Sequence, residues 1–514
     1  MINSRGLQTY SPKERNFYLI SMAGQNFIYN IIGGFLAYYL QFTILIPALA
    51  VSLIMSISRV WDALNDFMMG TIVDKTRSKW GKCRPYLIFA PVPIFFITVL
   101  CFTSFGTYSE NASTAFKALM IGWAAFTYVL FGMAYTVGDI PLWSVNALMT
   151  EDEHDRNKML SWARLAGGVG AGIVMFTMQS VAFAIGEKVG SERIGFLLAA
   201  IIFGLVGTIL FQLGGPNIRE KVQSSEKKYT LKENFKIILG NKPFRQLLLS
   251  GIIGSPKALI SLAATPLVSY YYASKDPGLA LVYIALLGGG IFLGQFLSMA
   301  ATPFLIKRIS KKNLYNYSNL FSSIPFAMIF ITYLIADKGV GPGTMASPVF
   351  IGIGFVLFML CGVAAGINTV LQSAMIADCI DYEEYKNGTR PDGVFFAGQT
   401  FLAKLTVGIA TIFSGIAYTI VGFTTDNVDA LNKYIERLAT EDLPLPREVP
   451  AYDNYMMILF FLVSIPPAIG GILSIIPTWK YSLDDDIHNQ IMAELNIRRH
   501  KDDGLYEKGT EILH

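Results

Sequence analysis

Four residues within one apolar stretch, Arg59, Asp62, Asn65 and Asp66, carry chemistry by their spacing. Positions 62 and 66 are about one helical turn apart and Asn65 is three from Asp62, so three oxygen-bearing side chains share one face of a helix. Two carboxylates that close repel unless positive charge lies between them. A small hard cation held by carboxylate and amide oxygens meets that need, and so does a proton shared by the pair. The bland reading is a structural network in which Arg59 neutralises the acids near one end of the helix. A second set, Thr136, Asp139 and Trp143, falls at three- and four-residue steps, and Arg164 follows on the next apolar stretch. A hydroxyl can complete a cation shell, a carboxylate can accept sugar hydroxyls in pairs, and an indole can cover the apolar face of a pyranose. Taken alone, Trp143 also suits a membrane-interface anchor. Gln399, Thr400 and Lys404 present polar groups on neighbouring faces of a later stretch, and Lys257 stands inside another, either to neutralise an acid on a different helix or to meet substrate.

The surroundings of these residues make them informative. Hydrophobic residues form 53% of the 514 and charged residues 15%, with a mean hydropathy of +0.46, so lipid is the main solvent. Stretches such as 17–40, 86–102, 196–213 and 456–476 are long and apolar enough to cross a bilayer as helix, and about twelve such stretches occur. An ionised side chain at mid-bilayer costs about 2.5–3.5 kcal/mol on insertion scales, so the few present are where function is sought first. All four histidines, His154, His488, His500 and His514, lie outside these stretches, which excludes a histidine proton relay within the membrane. The scattered cysteines, Cys83, Cys101, Cys361 and Cys379, show no metal-ligand spacing.

The expected architecture is all-α and integral to the membrane, with about twelve transmembrane helices in two six-helix bundles. The bundles are expected at 1–213 and 243–480, separated by a cytoplasmic central loop at 214–242 and followed by a cytoplasmic tail at 481–514. Basic clusters at Lys75, Arg77, Lys79, Lys82 and Arg84, at Lys227, Lys228, Lys232 and Lys236, and at Lys307, Arg308, Lys311 and Lys312 favour cytoplasmic termini by the positive-inside rule. Helix-flanking loops explain them better than a nucleic-acid patch. No cleaved signal peptide is read at the polar N-terminus. The acidic, proline-bearing loop 424–453 then faces outward with no readable role. In the tail, Ile487, Ile491 and Leu495 at helical spacing suggest a surface amphipathic helix.

Longer motifs carry a family resemblance. The stretch Arg59-Val-Trp-Asp-Ala-Leu-Asn-Asp66, with Gly70-Thr-Ile-Val-Asp-Lys-Thr-Arg-Ser-Lys-Trp-Gly-Lys82 after it, resembles the helix-two signature of the glycoside-pentoside-hexuronide cation symporters, the melibiose permease group of the major facilitator superfamily. Gly132-Met-Ala-Tyr-Thr-Val-Gly-Asp-Ile-Pro-Leu-Trp143, Ile376-Ala-Asp-Cys-Ile-Asp-Tyr-Glu-Glu-Tyr-Lys386 and Gln399-Thr-Phe-Leu-Ala-Lys404 extend it through both halves. The resemblance implies the two-bundle major facilitator fold with alternating access in the plasma (inner) membrane. It implies a cation site at Asp62, Asn65, Asp66 and Thr136, with Lys404 linking it to a sugar site at Asp139, Trp143, Arg164, Gln399 and Thr400. Gln372 belongs to the stretch lining the same cavity. The coupling ion is Na+ or H+, or else Li+, with no other cofactor and no nucleic-acid partner. Departures bear on the sugar: Gln25-Asn26 replaces a Lys-Asp pair on helix one, and Thr369 stands where an aromatic is expected near Gln372. An amide binds hydroxyls but lacks a carboxylate's charge-assisted bonds.

Secondary active symport of a sugar or glycoside is therefore the leading expectation. Loss of the helix-one acid, together with Lys257, points to an anionic sugar such as a uronide as one alternative. Uniport, transport of a lysolipid-like amphipath and a non-transporting sugar sensor are the others. No nucleophile and base pair, metal cluster or phosphate loop suggests an enzyme. Asp378, Asp381 and Glu384 are expected to form gating ion pairs with the basic clusters, and Arg59 is expected to be a further gating residue.

Overall fold

Apolar runs interrupted by glycine, proline and short polar loops fold as long helices, because in lipid a helix satisfies every backbone polar group internally. The computed structural model describes residues 8–150, 152–221, 231–388 and 391–502. Among them, eight helices are each long and apolar enough to cross a bilayer. In chain order they form span four (Thr114–Met149), span five (Glu153–Val189), span six (Glu192–Gln212), span eight (Pro277–Ile306), span nine (Lys311–Tyr333), span ten (Pro348–Asn387), span eleven (Asp392–Val421) and span twelve (Asp453–Leu473). Span seven is a pair, Lys242–Ile253 and Ser255–Tyr272, bent by 53° where Pro256 removes a backbone donor. Span one (Pro12–Tyr38), span two (Ala48–Lys75) and span three (Arg84–Phe89 continuing as Pro91–Cys101) complete twelve. Spans one and two are each about 40 Å long at 1.5 Å per residue. Their buried polar residues are what dilute their apolarity.

Spans one, five and six pack together, as do two with four and three with six, making one bundle. Spans eight and ten, nine with ten and twelve, and seven with twelve make the other. Glycines let the backbones approach. A Cβ added at Gly294 would meet the Met359 carbonyl oxygen at 2.0 Å, and one at Gly362 the Ile291 oxygen at 2.1 Å, so spans eight and ten touch backbone to backbone. Across the bundles, span two lies along span eleven, where Ser56 Oγ donates 2.6 Å to the Gly408 carbonyl.

The face carrying the N-terminus is tied within each half. Lys221 Nζ meets Glu14 Oε2 at 2.8 Å and donates to the Thr9 carbonyl at 2.7 Å. Burial opposes ionisation of Glu14, but Lys221, the Ser11 backbone N–H and the Ser11 hydroxyl outweigh it and hold the carboxyl below its ordinary value. Glu220 accepts the backbone N–H groups of Lys82, Cys83 and Arg84 at 2.7, 2.7 and 3.0 Å, pinning the basic loop to the segment after span six. On the opposite face the two halves are joined. Lys275 pairs with Glu192 at 2.5 Å, and Tyr38, Phe42, Tyr270, Tyr418 and Phe423 form one aromatic cluster. The loop 424–453 takes part in this closure. Its helix Thr425–Arg437 sets Asn432 Nδ2 on the Phe42 carbonyl at 2.8 Å and Thr425 Oγ1 on the Leu45 carbonyl at 3.0 Å.

The central segment contains a helix, Leu231–Gly240; Lys227 and Lys228 lie outside the described residues. The tail forms a helix at Asp485–Asp502, with Ile491 and Leu495 buried and Ile487 exposed, a narrower apolar face than the spacing suggested.

Candidate functional site

Span two presents Asp62 and Asp66 to span four. Asp62 is buried against Gly132, whose hydrogen leaves the only room available: a Cβ there would lie 1.9 Å from Asp62 Oδ1. One turn along each helix, Thr136 Oγ1 donates to Asp66 Oδ1 at 3.0 Å. Asn65 is nearby, its Nδ2 on the Met133 carbonyl at 3.4 Å, so its amide oxygen is not used in that bond. Arg59 lies 3.9 Å from Asp62 Oδ2, with its guanidinium over the Tyr128 ring. Asp62 Oδ1 is buried with no hydrogen-bond partner among the described residues. A buried carboxylate oxygen left unmatched, with a second carboxylate, a hydroxyl and an amide close by, is a set of donors that a hard monovalent cation or a proton could use.

Asp66 is also the point where the halves meet. Lys404 of span eleven forms an ion pair with Asp66 Oδ2. Three residues beyond Thr136, Asp139 Oδ1 accepts Gln25 Nε2 at 2.6 Å and Trp143 Nε1 at 3.1 Å. Asn26 Nδ2 donates to Gln25 Oε1 at 2.6 Å, and the same Gln25 Nε2 that meets Asp139 also donates to the Tyr135 hydroxyl. Spans one and four thus build a chain of carboxylate, amides, phenol and indole, all groups that exchange hydrogen bonds with hydroxyls. Trp143 is half-buried and oriented by Asp139, a different setting from a free interface anchor.

The remaining expected residues are less tightly joined. Arg164 is exposed and makes no ion pair among the described residues. Gln399 Nε2 donates to Ser373 Oγ at 3.4 Å, Gln372 is half-buried and Thr400 is exposed. Among the described residues Lys257 meets no acid: its Nζ donates to Asn319 Oδ1 at 2.8 Å and to Ser474 Oγ at 3.3 Å. At the N-terminal face Asp378 pairs with Lys311, and His488 of the tail helix stands 3.1 Å from Asp381 Oδ2 and 3.5 Å from Asp378 Oδ1. Sequence reasoning named Asp378 and Asp381 but missed His488, which is about a hundred residues away and carries no motif. It also missed Gly132 as the residue that admits Asp62, although the glycine sits one turn before Thr136.

A family model for MFS/sugar transport proteins matches residues 17–485. The chain belongs to that family. It is 25% identical over 423 residues to the isoprimeverose transporter of Lactiplantibacillus pentosus, covering 81% of this chain and 82% of that one. It is likewise 25% identical over 493 residues to the inner membrane symporter YicJ of Escherichia coli (strain K12), covering 95% of each. The solved D-xylose-proton symporter shares the fold at a TM-score of 0.53 and 13% identity, over 91% of this chain and 97% of that one. The resemblance read in the motifs is borne out, and the family is one of carriers, not enzymes.

Proposed function

We propose that the protein is a cation-coupled sugar symporter, seated in the plasma membrane with both termini cytoplasmic. The observation that carries this reading is the pair Asp62 and Asp66, facing Thr136 beside an unmatched carboxylate oxygen and bridged to the other half by Lys404. Lys404 acts as a tethered cation. While it neutralises Asp66, the halves are held together through a half-buried pair. When Na+ or H+ takes the acids, the ammonium is released towards the substrate. Carrying the acid pair through an occluded state without any cation is expensive, which ties ion movement to sugar movement. The sugar is bound at Asp139 and Trp143, with Gln25 and Asn26 beneath, and Arg164, Gln372, Gln399 and Thr400 border the same space. Relatives named as an isoprimeverose transporter and a symporter support both parts of the reading.

Purified protein in proteoliposomes, tested with a panel of labelled sugars under separately imposed sodium and proton gradients, identifies both the ion and the sugar. Asp62→Asn is expected to abolish accumulation against a gradient. Accumulation persisting in that variant at the wild-type ratio refutes the coupling role.

A further inference from the structure

A cavity of about 360 Å³ lies between spans five, seven, eight and ten. Its walls are mostly hydrocarbon, including Phe176, Ile260, Leu287, Phe292 and Phe358. A bare sugar is poorly matched to so largely apolar a surface, since its hydroxyls lose water for few partners. Neutral polar side chains, Gln179, Ser261, Thr265, Gln295 and Ser322, are set among the apolar ones, and one polar chain in the wall carries a charge. Lys257 donates to Asn319 Oδ1, which also accepts Asn368 Nδ2 at 3.2 Å, and both Lys257 and Asn368 line the cavity.

Lys257 is the unexplained group. An ammonium has three N–H donors, and two of them are met by the neutral oxygens of Asn319 and Ser474. Among the described residues no carboxylate pairs with it. A half-buried charge without a counter-charge is a standing cost within a membrane span, and it suits a place where an opposite charge binds.

Span five connects this cavity to the sugar site. At Gly167 an added Cβ would lie 2.5 Å from Asn26 Nδ2, and Asn26 is joined through Gln25 to Asp139. Met175 and Phe176, which line the cavity, come eight and nine residues later on the same helix, about 12–14 Å along its axis. A single pyranose is too short to touch both places. A sugar joined to a second ring is long enough.

We infer that the cavity is a second substrate subsite, taking an apolar aglycone that ends in a carboxylate. Lys257 is the counter-charge, while the sugar ring of the same molecule rests at Asp139 and Trp143. The placement of the ring rests on the sugar-carrier reading; the charge and apolarity of the cavity do not.

The test uses the full-length protein in detergent and titration calorimetry with the phenyl and the 4-carboxyphenyl glycosides of glucose, galactose and xylose. For at least one sugar the carboxyphenyl form is expected to bind about tenfold tighter or more, the effect of one hydrogen bond between charged groups. That ratio is expected to collapse towards one in Lys257→Gln. Equal affinities in the wild-type protein, no binding by any carboxyphenyl glycoside, or a ratio that survives Lys257→Gln each overturns the subsite. Decanoate displacing the carboxyphenyl glycoside at equal concentration overturns it too, in favour of a lipid cavity. The wild-type ratio decides the matter even if the variant does not fold. Accumulation surviving in Asp62→Asn would defeat the coupling reading and leave this ratio untouched.

Discussion

Replacing Gly132 with alanine perturbs the proposed cation site without removing any of its oxygen donors. The new methyl carbon would lie 1.9 Å from Asp62 Oδ1 and 2.9 Å from its Cγ, so the carboxylate must swing by roughly 1.5 Å to regain ordinary contact. Leaving its rotamer costs about 0.5–1.5 kcal/mol. Alanine repays about 1 kcal/mol through helix propensity, so net stability changes by about 1 kcal/mol or less. Cation binding has no such compensation. Displacing one charged ligand removes about 1.5–3 kcal/mol of interaction, or ten- to hundredfold in affinity. The assay is the cation concentration, or pH, giving half-maximal sugar uptake in proteoliposomes, with Tm measured alongside. A large rise in the cation requirement at nearly constant Tm is expected. An unchanged cation requirement refutes the reasoning, and so does a collapse of Tm, which would make Gly132 a packing residue only.

Two further outcomes follow from particular contacts. Lys404→Met leaves the half-buried Asp66 uncompensated and is expected to lower stability by about 1–3 kcal/mol. Adding Asp66→Asn should recover much of that loss in thermal unfolding, and fully additive losses would show that the pair is not coupled. Glu14 supplies a pH test. Its folded-state carboxyl is held below the ordinary value, so its contribution is complete above about pH 4.3 and is lost as pH falls through the lower folded value. Glu14→Gln should therefore unfold earlier than wild type at neutral pH, with the gap closing in acid. A gap that widens in acid would contradict the sign.

The membrane class, the helix count and the identity of most polar residues at the centre were legible in the sequence, because lipid punishes charge and so makes each buried Asp or Lys conspicuous. Spacing alone put Asp62 and Asp66 on one face, and Thr136 with Asp139 on another. What spacing could not say is which faces meet. Only the packing of span two on span four showed that Asp62 fits against a glycine and that Thr136 bonds Asp66. Only the approach of span eleven joined Lys404 to Asp66 across the two halves. The same holds for Lys257, for which spacing favoured an acid partner slightly over a ligand, whereas its neighbours proved to be Asn319 and Ser474, both neutral. His488 reaches Asp381 because the tail helix folds back on span ten, a contact with no local pattern. The sequence by itself determined which side chains must be buried in lipid, since that follows from composition along one dimension. The tertiary structure decided which of them share a site and which, among the described residues, is left without a counter-charge, since those depend on distances between helices that no periodicity encodes.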